Sequence, residues 1–184
     1  MDKNRRVAVI GIFAALIIVL QCVSTFINFG SFPITLTLIP IIVGAAVFGP
    51  YIGMLLGTVF GVVVAIMVVT GADPSGATML AIHPVITISV CIIKGALAGL
   101  VSGLVYRALK DRNEKLAIIL AAAAAPLTNT VTLFLTLILF FESSFAVMVS
   151  ALMSINFLIE LMTNIILAPG LLGLIHNWQK RARN

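Results

Sequence analysis

The sequence predicts an all-α membrane protein, a bundle of six transmembrane helices with both termini on the cytoplasmic side. Three observations predict it. The 184 residues are 61% hydrophobic and 9% charged, with a mean hydropathy of +1.23, well outside the composition of a soluble globular domain. The apolar residues fall into six stretches, and a hydrocarbon core of ~30 Å needs roughly 20 apolar residues per helix. Ten of the eleven basic residues form three clusters, Lys3/Arg5/Arg6, Arg107/Lys110/Arg112/Lys115 and Lys180/Arg181/Arg183. Lys and Arg mark the cytoplasmic flanks of membrane helices. With both ends inside, six spans bring the middle cluster inside as well and leave no basic residue in an outer loop. The formal charge of +5 therefore brackets helices and forms no stripe, so no nucleic-acid partner is expected.

Span one is Val7–Phe26, about twice the length of a usual signal core. Five more spans follow it, so it is expected to stay in the mature chain. The short uncharged loop Ile27–Pro33 leads to span two, Ile34–Phe48, which is short and carries Pro40, predicting a broken or partly re-entrant helix. Gly49-Pro50 forms a tight inside turn into span three, Tyr51–Val69. The outer loop Thr70–His83 is the longest on its side. Span four, Pro84–Tyr106, ends in the charged inside loop. Span five is Leu116–Phe140, and the outer turn Phe141–Phe145 follows. Span six, Ala146–Ile175, is longer than a bilayer needs, and Pro169-Gly170 predicts a kink near its inner end. Residues 1–184 are read as one domain, multi-pass in the plasma membrane and solvated by the lipid bilayer. Cys22 and Cys91 both lie within spans and are read as small hydrophobes with no disulfide.

Small residues recur every fourth position in three spans: Gly11 and Ala15, then Gly53, Gly57 and Gly61, then Gly95, Gly99 and Gly103. In lipid, helices associate by close packing, and small residues let their backbones approach. Spans three and four are expected to pack within the chain through these faces. The small face of span one is left open between packing within the chain and use by a partner subunit.

Polar groups inside the membrane point to a site. Lys94 lies ten residues into span four and Glu160 fourteen into span six, about 15 Å and about 21 Å from the outer ends at 1.5 Å per residue. A charge at the bilayer centre costs about 2.5 kcal/mol or more, so it faces the bundle interior and finds a partner. Asn156, Glu160 and Asn164 share one face of span six at i, i+4 spacing. A Lys94–Glu160 pair, or Glu160 bonded to a neighbouring amide, is the structural explanation. The functional one makes Lys94 the anchor of an anionic ligand. Asn129 and Asn156 lie at similar depth, with Thr128, Thr130 and Thr132 nearby. Buried amides must be paired, by a ligand or by each other.

Other chemistry is missing. There is no GxxxxGK[ST] phosphate loop, and no acidic cluster to hold Mg²⁺. His83 and His176 sit at opposite membrane faces, and no Ser/His/Asp set shares a depth. No enzymatic activity, cofactor or metal is expected.

Two segments carry a family resemblance: FGSFPITLTLIPIIVGAAVFGPYIGMLLGTVFG from Phe29 to Gly61, and IKGALAGLVSGLVYRAL from Ile93 to Leu109. With six spans in under 200 residues, the chain resembles the substrate-binding S component of energy-coupling factor (ECF) vitamin transporters. The GADPSG segment at Gly71–Gly76 looks like a subgroup linked to pantothenate. The resemblance implies a high-affinity binding subunit that docks on a membrane coupling subunit and two ABC-type ATPase subunits. It implies docking through a first-span Ala-x-x-x-Ala motif, matched here by Gly11 and Ala15 with glycine in the first place. Ala8 and Ala14 offer alternative registers. It also implies a small-molecule vitamin held in the outer half of the bundle, under the loop that contains Asn28, Phe29, Ser31 and Phe32. That loop's polar groups would bond the ligand and its rings would cover it, with Lys94, Thr128, Asn129 and Asn156 deeper in the pocket.

The expected function is therefore ATP-driven uptake of a vitamin, pantothenate first, with pyridoxine or hydroxymethylpyrimidine as family alternatives. A self-sufficient proton-coupled carrier using Lys94 and Glu160 is the rival from another class. A membrane scaffold with no small ligand is a third.

Overall fold

A computed structural model describes residues 3–26, 28–29, 32–33, 37–141 and 157–168, with isolated positions beyond. Seven helices are described: α1 (Lys3–Phe26), α2 (Leu38–Phe48), α3 (Pro50–Val69), α4 (Pro74–Ile82), α5 (Pro84–Leu109), α6 (Glu114–Phe140) and α7 (Phe157–Ala168). Four of them, α1, α3, α5 and α6, are long and apolar enough to cross a membrane. Two short strands, β1 (Asn28–Phe29) and β2 (Phe32–Pro33), pair antiparallel with Phe29 opposite Phe32.

The helix ends follow from capping chemistry. Pro40, expected to break span two, falls in the first turn of α2, where a missing N–H is tolerated. Gly49 ends α2 at φ +101, a conformation that favours glycine, and Pro50 opens α3 at its first position. The segment expected as the loop Thr70–His83 contains a helix, α4. Asp73 caps it, its carboxylate accepting from Ser75 N at 3.1 Å and Gly76 N at 3.2 Å, and Pro74 occupies its first turn. Asn113 caps α6 through Leu116 N at 3.1 Å. Pro126 lies inside α6 and has no amide to offer the carbonyl of Ala122.

The bundle is organised around α5, which packs most extensively on α3 and then on α6. The expected glycine faces make the α3–α5 contact. A Cβ at Gly53 would meet the carbonyl of Gly99, and one at Gly61 the carbonyl of Cys91. Helix α2 sits among α1, α3, α5 and α6, with seven of its eleven residues buried. Its length gives it about 16 Å of rise, so it fills only part of the bundle's depth. The main core runs through Leu38, Ile41, Leu56, Phe60 and Ile118. A second cluster, Met79, Val90, Leu133, Leu137 and Phe141, joins α4 to the far ends of α5 and α6. The bundle's outside is apolar, with Ile12, Tyr51, Ile66, Leu104, Leu139 and Ile166 all exposed, as a lipid-facing surface requires.

Candidate functional site

Basic residues gather at one end of the bundle. The Arg6 guanidinium donates to the carbonyl of Phe48 at 3.3 Å, at the C-terminus of α2 where a cation is favoured. Pro50, two residues on, touches the Gly103 position of α5, and Arg107, Lys110, Arg112 and Lys115 follow at that same end. The opposite end holds α4 and the His83 ring, which meets Phe141 edge-on at 5.4 Å.

Lys94 lies between these ends. It shares a face of α5 with buried Cys91 and Ala98, because residues three and four apart line up on a helix. This side chain is therefore turned inward and is half-buried. Its charge acts on the carboxyl of Glu160 on α7. Among the described residues no ion pair or hydrogen bond consumes the Lys94 ammonium. Helix α4 packs on α5, its Met79 sharing a buried cluster with Val90, one turn before Lys94.

Glu160 and Asn164 are both buried on one face of α7, at 4% and 1% exposure. Asn164 Nδ2 donates to the Glu160 backbone carbonyl at 2.8 Å, not to its carboxylate. The expected i, i+4 face is thus present for these two residues. Among the described residues Asn129 Oδ1 is buried with no hydrogen-bond partner, as is Asn164 Oδ1. Thr128 is half-buried, and its carbonyl accepts from the Thr132 hydroxyl at 2.8 Å. Ser31 and Asn156 lie outside the described residues, and for Asn28, Phe29 and Phe32 only the backbone is described.

Gly11 and Ala15 are exposed on α1, and nothing lies within 4 Å of a Cβ placed at Gly11. Ala8 is exposed too, whereas Ala14 packs against the core. The opposite face of α1 buries Val9, Ile17 and Ser24, so the helix lies at the bundle's edge with its small-residue face outward.

Sequence reasoning missed a polar contact between the C-terminal part of α1 and the start of α2. The Thr37 hydroxyl donates to Gln21 Oε1 at 2.8 Å. Gln21 is the one amide in span one, and a polar side chain in an apolar helix was the available signal.

A family model described as the ECF transporter substrate-specific component matches residues 5–176. The pantothenic acid transporter PanT of Lactococcus lactis subsp. cremoris (strain MG1363) is 30% identical over 185 residues, covering 92% of this chain and 93% of that protein. The chain is thus a multi-pass protein of the plasma membrane, and it belongs to the family of substrate-specific components of ECF transporters.

Proposed function

We propose that this chain captures pantothenate at the outer side of the membrane and delivers it to an ATP-driven importer. Its other subunits would be a membrane coupling protein and two ABC-type ATPases. The observation that carries the pocket is the Lys94 ammonium, turned into the bundle and not consumed by a described ion pair. A cation turned into a membrane bundle needs an anion, and pantothenate brings a carboxylate together with an amide and two hydroxyls. Asn129, with a buried and unpartnered Oδ1, suits a hydroxyl or amide N–H of the same ligand. Thr128, its neighbour in α6 and half-buried, would join it. Asn28, Phe29, Ser31, Phe32 and Asn156 join the pocket on the sequence reading alone.

The named relative supports pantothenate as the vitamin. The gathering of Arg6 and the α5–α6 basic residues at one end supports a cytoplasmic face there. In this reading the single domain, residues 1–184, crosses six times with both termini inside, α2 and α7 being parts of spans two and six. The exposed Gly11 and Ala15 form the face that docks on the coupling protein.

Two experiments test this reading. Mass spectrometry of small molecules carried through purification is expected to find pantothenate. Proteoliposomes holding the chain alone are expected to bind it without transport, with or without a proton gradient. Uptake by the solitary chain under a gradient would favour a proton-coupled carrier built on Lys94 and Glu160 and overturn this assignment.

A further inference from the structure

Thr37 stands just before α2 with helical backbone angles, φ −70 and ψ −23, and its side chain makes no capping bond. The hydroxyl goes across to α1 and donates to Gln21 Oε1. Thr37 is fully buried, so water does not compete for the bond. A buried hydroxyl must be paired, and this one is paired with a side chain of another helix, which ties the start of α2 to α1.

Gln21 uses the other end of its amide as well. Nε2 donates to Met67 Sδ on α3 at 3.8 Å, a weak acceptor. Met67 in turn roots the connection to α4. Its carbonyl accepts from Ala72 N at 2.9 Å and Asp73 N at 3.3 Å, and from the Thr70 hydroxyl at 3.1 Å. Asp73 then caps α4, which packs on α5 and shares a buried cluster with Val90, one turn before Lys94. A set of contacts thus runs from α1 through Gln21 and Met67 to the turn that opens α4, and α4 carries it on to α5. At its other end α1 is fastened to α2 by Arg6 and by the edge-on stacking of Phe13 on Phe48 at 6.3 Å.

We propose that Gln21 is a positioning residue for the substrate pocket. Held by Thr37, it seats Met67 and the α3–α4 turn, and so sets how fast substrate enters and leaves without touching it. This inference rests on the reading of the Lys94 region as the pantothenate pocket.

The test uses the purified full chain with Gln21→Leu, Thr37→Val and Thr37→Ser. Two readouts are taken beside a melting curve: amide hydrogen exchange of residues 70–76, which needs no ligand, and the dissociation rate of radiolabelled pantothenate. Gln21→Leu and Thr37→Val are expected to speed both by about three- to tenfold, the range one net hydrogen bond commands. Association is expected to quicken too, so that affinity changes less than release. Thr37→Ser, which keeps the hydroxyl, is expected to retain the original rates. Unchanged exchange, or faster exchange with unchanged release, overturns the proposal. So does an equal effect of Thr37→Ser, or a lower melting point with both rates preserved. If the unaltered chain binds no pantothenate, the substrate assignment fails, and the exchange measurement alone decides whether Gln21 seats the turn.

Discussion

Gly57 and Gly95 face each other across the α3–α5 contact so closely that a Cβ on either would strike the carbonyl oxygen of the other. The obstacle is backbone, which cannot rotate away as a side chain would. Overpacking typically costs about 1–3 kcal/mol, and Gly57→Leu is expected to reach at least that, because the helices must part. Thermal melting in detergent measures it. Pantothenate affinity should fall with it, since α5 carries Lys94.

Gly11 supplies the contrast. Among the described residues nothing lies within 4 Å of a Cβ placed there, so Gly11→Leu and Ala15→Leu are expected to leave melting and pantothenate binding unchanged. Uptake by the assembled transporter is expected to be abolished, because a bulky side chain keeps a partner helix from close approach. Equal loss of binding and uptake would mean that this face does not serve docking.

These two predictions show where the sequence was legible. Spacing of small residues identifies faces that need a neighbour, and the structure supplies one for Gly57 but not for Gly11. Intramembrane charges are equally visible, because lipid makes each one expensive; Glu160 is buried and feels the Lys94 charge. Helix α4 was hidden for a different reason. Nine residues of moderate hydropathy do not signal a span, and only the Asp73-Pro74 cap announces the helix. Within GADPSG, Gly71 adopts φ +76, and a Cβ at Gly76 would meet Val68. The motif is thus accounted for by the turn that seats α4. The Gln21–Thr37 bond was not legible, because no spacing rule pairs side chains across separate helices.

Lys94→Met separates a ligand anchor from a structural cation. If the ammonium holds the substrate's carboxylate, the variant is expected to weaken pantothenate binding by about 1.5–3 kcal/mol, the worth of a charged hydrogen bond, or about ten- to a hundredfold in Kd. The neutral alcohol analogue of the vitamin should lose much less. Glu160→Gln in the same background removes the buried carboxylate that Lys94→Met leaves without its nearby cation. If melting then recovers while pantothenate affinity stays low, Lys94 serves the ligand. Recovery of both would assign Lys94 to Glu160.

Asn129 gives a prediction with opposite signs for its two explanations. Its Oδ1 is buried without a partner among the described residues, and an unmet acceptor in a low-dielectric interior costs about 1–3 kcal/mol. A ligand N–H or O–H that meets it recovers that energy only on binding. Asn129→Leu is then expected to raise the melting temperature of the empty chain, because the unpaired acceptor is gone. The same change is expected to weaken pantothenate binding by about 1–3 kcal/mol, because the ligand's donor is left buried and unpaired. Calorimetric titration and melting of the same preparation read both quantities. A more stable chain with unaltered affinity would remove Asn129 from the pocket. A less stable chain would mean that the amide already has a partner in the folded protein.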